Sequence, residues 1–166
     1  MNSSVLPFQI IFIDDASTDE SLSVVDCYLN ILPIEIIALK SNVGFANALN
    51  IGIKYCTGDY IMRIDPDDYC HPDRILKQAR FLFDNPDIGV VGSQATYFDS
   101  LSNAFLNDTN KPLTHDGILK RYMDADNGVI HGTVMAKSSV IKSFSYVQAD
   151  VPSEDYSYFS KIISSG

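Results

Sequence analysis

Three short acidic groups are spaced along the chain: Asp14-Asp15, Asp65-Pro66-Asp67-Asp68 and Glu154-Asp155. The first two each follow an apolar run, Phe8–Ile13 (FQIIFI) and Asp59–Ile64 (DYIMRI), and the third comes just after Pro152. Carboxylates hold hard divalent cations, and Mg²⁺ is usually bound by one or two of them together with phosphate oxygens and water. A short Asp-x-Asp at a strand end supplies that pair without a full protein cage. Carboxylates gathered at one edge repel each other unless a cation or hydrogen-bond donors compensate. A diphosphate bound with Mg²⁺ or Mn²⁺ provides that compensation. Each group also has an ordinary reading. Residues 65–68 suit a solvated acidic turn, Asp14-Asp15 suit turn and capping chemistry, and Glu154-Asp155 suit first-turn acids that complement a helix dipole. Their joint occurrence is what points to chemistry.

Ligands in open α/β sheets bind at the carboxyl ends of the strands, so the elements must bring these groups there. Phe8–Ile13 reads as a strand covered on both faces, the pattern of a parallel sheet. Ser17 or Thr18 is placed to cap a following helix with acids in its first turn, carrying Leu22, Val25 and Leu29 at helical spacing. Ile34–Leu39 is a second buried strand. Asn42-Val43-Gly44 opens a helix from Phe45 to about Tyr55, and Asp59–Ile64 is a third strand. Pro72 suits the first position of a helix, with Ile75, Ala79 and Leu82 inward and Asn85-Pro86 at its end. Ile88–Gly92 and Gln94–Phe98 are β-like, with a turn near Asp99–Asn103. Thr114–Met123 is a helix, Val129–Ala136 a strand, and Ser153 caps a last helix through Ile163. Alternation of strand and helix in the first half argues an open parallel α/β sheet, and the second half is mixed.

Composition narrows the function. The 166 residues fit one domain with a real core. The net charge of −9 argues against nucleic acid, whose phosphates recruit Lys and Arg. Cys27, Cys56 and Cys70 form no C-x-x-C pattern and read as buried thiols of a reducing compartment. No apolar run reaches the roughly 18 residues that span a bilayer, and MNSSVLPF is no signal peptide. The expected location is cytoplasmic, or peripheral to the inner face of a membrane.

Five segments together resemble one family. IIFIDDASTDES resembles the strand and V-D-D-G-S-T-D of glycosyltransferase family 2, and SNVGFANALNIGI its N-x-G-x-x-x-A-R-N-x-G. DYIMRIDPDDYCHPDRI resembles its strand, L-D-x-D-D and proline-opened helix. HGTVMAKSSVI is similar to its H-x-S-V-M-F-R strand, and SEDYSYFSKI to its E-D-Y-D-L-W-L-R helix. Order and spacing agree over about residues 8 to 165. The resemblance implies the GT-A fold (Rossmann-like, nucleotide-diphospho-sugar transferase), an open, mixed, mostly parallel sheet with helices on both faces. It implies inverting transfer of a sugar from a UDP-, GDP- or dTDP-sugar to a glycan, lipid-linked or protein acceptor. By that resemblance Asp15, beside Asp14, would bond the nucleotide base. Asp65 would face the ribose and metal, and Asp67 would ligate the Mg²⁺ or Mn²⁺, with Asp68 a weaker candidate. Asn42, Gly44 and Asn50 would lie near the donor, and Asp155 would be the general base with Glu154 beside it.

The chain departs from the pattern. Leu49 stands where the family has Arg, and Ala136-Lys137 where it has Phe-Arg. The family's first strand would precede residue 1, and the acceptor-side elements would follow residue 166, so a single domain over 1–166 reads as truncated at both ends. A sheet lacking a central strand leaves unpaired backbone. A hole is therefore expected between Ile10–Ile13 and Tyr60–Ile64, with rearranged edges or self-association through the gap. The rival to an active enzyme is a catalytically inactive, transferase-like domain that is nucleotide-binding or structural only. A phosphoacceptor receiver fits poorly, as does a haloacid-dehalogenase phosphatase, whose D-x-D-x-T would need Thr at position 69, which is Tyr. His131 and His71 read as a structural residue and turn chemistry, and Tyr97 and Phe98 as core.

Overall fold

The computed structural model describes residues 3–165; Met1, Asn2 and Gly166 lie outside them. Strand β1 (Ile10–Asp14) pairs in parallel with β2 (Ile34–Ala38), Ile10 opposite Ile34 through Asp14 opposite Ala38. Between them runs a short helix, α1 (Ser21–Asp26). Helix α2 (Phe45–Tyr55) leads to β3 (Tyr60–Met62), and α3 (Arg74–Asp84) leads to β4 (Val90–Val91). The hairpin β5 (Thr96–Asp99) and β6 (Ala104–Asp108) precedes α4 (His115–Met123). Strand β7 (Met135–Lys137) lies between β3 and β4, antiparallel to both, before α5 (Ser138–Ile141) and α6 (Glu154–Ile163).

The expected single, mostly parallel sheet is thus divided into three: β1-β2, β3-β7-β4 and the β5-β6 hairpin. Among the described residues only β1 and β2 pair in parallel. Among these residues too, β1 pairs only with β2 and β3 only with β7, so no ladder joins β1 to β3 across the seam between them. Free edges explain why β1 is half-buried rather than covered on both faces, with Phe8 81% exposed. Gln9 bridges part of the seam, donating to the Tyr55 carbonyl at 3.1 Å and accepting from the Thr57 amide at 3.0 Å.

The core sits in the second half of the chain. Ala46, Tyr122, Val134, Ala136, Ile141, Tyr146, Tyr158 and Phe159 form one buried cluster. Tyr158 is fully buried, stacks on Tyr146 with ring centroids 3.8 Å apart, and donates its hydroxyl to the Ile141 carbonyl.

Local differences from the sequence reading have identifiable causes. Neither Ser17 nor Thr18 caps α1. The Asp14 carboxylate takes the Ser17 amide at 3.1 Å and Ala16 adopts a left-handed φ of 60°, so the polar stretch closes as a turn first. The helix starts late, has no acid in its first turn, buries no residue and ends at Asp26. Exposure of α1 also leaves Cys27 exposed, Cys70 is exposed in the loop before α3, and only Cys56 is half-buried, so the thiols are not core residues. The strand expected over Val129–Ala136 is interrupted by a 3-10 turn, His131–Thr133, because the Thr133 hydroxyl donates to the Ile130 carbonyl at 2.8 Å. Tyr97 is 65% exposed, since the hairpin carries it away from the main cluster. Phe98 instead packs on Phe105 and Tyr69. The Ser153 hydroxyl makes no cap bond.

Gly44 has φ +89°, and a Cβ there would stand 2.6 Å from the Gln148 carboxamide. Gly44→Ala is therefore expected to cost roughly 1–3 kcal/mol in urea denaturation. Adding Gln148→Ala should relieve the clash but not the backbone strain, and it forfeits the bonds from the Ala46 and Asn47 amides.

Candidate functional site

The helix-opening segment before α2 is organised around a carboxylate. Asp15 accepts from the Val43 amide at 2.7 Å and the Gly44 amide at 3.0 Å. Asn42 Oδ1 shares the Gly44 amide at 3.1 Å. The next free amides of α2, Ala46 and Asn47, are taken by Gln148 Oε1 at 3.1 and 3.4 Å. Asp14 is 4% exposed and points into its own turn. Asn50 clamps the backbone of Tyr146, donating to its carbonyl and accepting from its amide, both at 2.9 Å. Asp15, Asn42 and Gly44 are thus brought together, while the Asn50 amide serves the loop before α6.

The second acidic group follows β3. Asp65 forms a two-pronged ion pair with Arg63, whose second nitrogen donates at 2.8 Å. Arg63 lies over the Phe45 ring at 5.6 Å, and its Nε is buried without a partner. Arg74 donates to the Arg63 carbonyl at 2.8 Å, tying the loop to α3. Asp67 and Asp68 are exposed. Burial, then the charges of Asp65 and Asp67, push the Asp68 carboxyl above its ordinary range. A Cβ on Gly132 would meet Asp68 Oδ2 at 2.8 Å and Asp65 Oδ2 at 3.1 Å, so these two carboxylates converge on one glycine. That crowding fits a divalent cation held by part of the group and completed by phosphate oxygens. Among the described residues no group of three or more His, Cys, Asp or Glu is close enough to hold a metal alone.

The third group begins α6. Glu154 is 7% exposed. Asp155 is half-buried, with Asn127 Nδ2 donating to one oxygen at 3.2 Å and the Tyr156 amide to the other at 2.6 Å. Two lines of contact tie the groups together. From Asp15, the Gly44 segment abuts Gln148, in the turn just before α6. From Asp65, Arg63 lies over the Phe45 ring, which stands edge-on to His131, the partner of Tyr146. The Tyr146 hydroxyl is pushed up by burial and by Tyr158, then opposed by Arg63 and raised further by Asp155 and Glu154.

His131 Nε2 lies 2.7 Å from the Tyr146 hydroxyl, with Phe45 and Phe159 edge-on to its ring. Burial first, and Arg63 second, lower its pKa to about 3. A depressed folded-state value means stability is full above the unfolded value of about 6.5 and is lost as pH falls below it. Between about pH 7 and 5 this group should remove roughly 2 kcal/mol of stability. Urea denaturation of His131→Gln at both pH values should show that increment missing.

Arg63, Asn127, Tyr146 and Gln148 were not singled out by the sequence reading. Arg63 had a signal, a charge inside the otherwise apolar DYIMRI. The others reach their partners across 15 or more residues and leave no local pattern.

The fold is an α/β arrangement matching that of GT-A glycosyltransferases. Structurally the chain is similar to TarS residues 1–349 of S. aureus, TM-score 0.68 at 19% identity over 93% of this chain and 45% of that one. It is also similar to the mannosyltransferase PcManGT of Pyrobaculum calidifontis, solved with GDP-Man and Mn²⁺, TM-score 0.65 at 18% identity over 93% and 42%. Residues 2–144 match the model of glycosyl transferase family 2, and the chain belongs to that family. It is 32% identical over 160 residues to the amylovoran biosynthesis glycosyltransferase AmsE of Erwinia amylovora, covering 95% of this chain and 59% of that protein. To the putative glycosyltransferase EpsE of Bacillus subtilis it is 31% identical over 148 residues, 86% and 50%. The chain therefore spans little more than half the length of these relatives. Among the described residues no helix is long and apolar enough to cross a membrane.

Proposed function

We propose that this chain carries the donor site and the base of an inverting, metal-dependent glycosyltransferase. The observation that carries the reading is the crowding of Asp65 and Asp68 against Gly132, next to His131, whose Tyr146 partner stacks on Tyr158 of α6, the helix that begins with Glu154-Asp155. Asp155 would take the proton of an acceptor hydroxyl as that oxygen attacks the anomeric carbon. Attack from the face opposite the diphosphate inverts the centre, while the bond from the anomeric carbon to the diphosphate oxygen breaks with oxocarbenium character. Asp67, with Asp65 or Asp68, would hold Mg²⁺ or Mn²⁺, and the ion when bound neutralises charge on the departing diphosphate. Asp15 and Asn42, which fix the amides before α2, would frame the nucleotide. The donor would be a UDP-, GDP- or dTDP-sugar. UDP and GDP-Man are the ligands of the TarS and PcManGT complexes.

Calorimetry with UDP, GDP and dTDP, each with and without Mn²⁺, tests the donor site. Metal-dependent binding of one nucleotide is expected. The open seam between β1 and β3 favours a second reading, a transferase-like domain without activity, and failure of all three nucleotides to bind would decide for it. Strand addition at those free edges is the self-association this fold allows, read by sedimentation velocity over a concentration series.

A further inference from the structure

The Asn127–Asp155 bond imposes a choice on the amide. A carboxylate only accepts, so Asn127 must turn its nitrogen toward Asp155. Its Oδ1 is then left buried without a partner, which costs about 1–3 kcal/mol. The backbone carrying Asn127 is fixed from several directions. Lys111 Nζ donates to the Asn127 carbonyl at 2.5 Å, and Arg121 pairs with Asp126 at 2.5 Å. A Cβ on Gly128 would lie 2.8 Å from the Ile118 side chain, so the segment rests directly on α4. Ala125 holds a left-handed φ of 58°. A strained turn and an unsatisfied amide oxygen, kept together beside one carboxylate, mark geometry maintained at the expense of stability.

We infer that Asn127 is the positioning residue of Asp155: its side-chain amide fixes the rotamer of the carboxylate so that an open lone pair faces the acceptor hydroxyl. The inference rests on Asp155 being the base proposed above. In the loop between α4 and the His131 turn, Asn127 is the residue whose displacement would misaim that base, and small misplacements of reacting groups are costly.

The test reads the Asp155 χ1 angle from three-bond couplings in the isotopically labelled, folded chain. Wild type should show one rotamer. Asn127→Ala should show averaged couplings, and Asn127→Asp, equal in size but repelling, a different rotamer. A single unchanged rotamer in these variants would overturn the inference. Should neither variant fold, the Asn127 side-chain amide protons in Asp155→Ala carry the test: they should move toward free-amide shifts, and unmoved resonances would overturn it. The two failures read differently. Full turnover by Asp155→Asn would remove the base and leave the rotamer result standing, whereas fixed rotamers would remove the positioning and leave the base.

Discussion

Asp155→Asn is expected to lower sugar transfer by about 10²–10⁴-fold, the usual contribution of a general base, while nucleotide affinity changes by less than about threefold. The amide keeps the size of the carboxylate but takes no proton. Local structure should tolerate it, because Asn127 can flip and offer its presently unpartnered Oδ1 to the new amide nitrogen. The Tyr156 amide keeps an oxygen to donate to. Nothing in this exchange reaches Asp15 or the Asp65–Asp68 loop, which bond to other elements. Turnover at the wild-type rate would show that Asp155 is not the base. A matched loss of nucleotide binding would show that the substitution damaged the fold instead.

How legible the molecule was depends on the range of the interactions involved. Helix α2 was readable from its start at Phe45 to about its end, because Gly44 and the four-residue spacing of Phe45, Leu49 and Ile53 are local signals. The existence of the strands before the acidic loops was readable for the same reason, but not their bounds: β1 runs Ile10–Asp14 rather than Phe8–Ile13, and β3 stops at Met62 rather than Ile64. The division into three small sheets was not legible, since the sequence reading gave one mostly parallel sheet. What stayed hidden is the means by which distant loops are locked together. Asn50 and Tyr146 are 96 residues apart, and Gln148 caps a helix that begins 103 positions earlier, as the numbering of Phe45 and Gln148 gives. Such bonds join side chains to backbone across the fold, and no periodicity encodes them. The short hairpin strand β6 escaped because AFLND faces mostly solvent and lacks alternation.

Asp67→Ala is expected to abolish the Mn²⁺-dependent part of nucleotide binding, a loss of at least ~10-fold if this residue is a ligand, since even outer-shell partners of metals are worth 10–100-fold. The geometry separates Asp67 from its neighbours. Asp65 is engaged by Arg63, and Asp67 has no ion-pair partner among the described residues. Asp67 shares its exposure with Asp68 but, unlike Asp65, is left free to meet an incoming cation. Binding measured without metal should be unchanged, which separates a ligand from a residue that merely shapes the loop. A second readout needs neither nucleotide nor metal. Asp67 is one of the charges that raise the Asp68 carboxyl, after burial and Asp65. Removing it should move Asp68 back toward the ordinary carboxylate range, because one like charge is gone. An unchanged Mn²⁺ effect together with a lowered Asp68 value would place Asp67 in the loop's electrostatics but outside the metal site. Asp65 and Asp68, converging on Gly132, would then be the remaining pair.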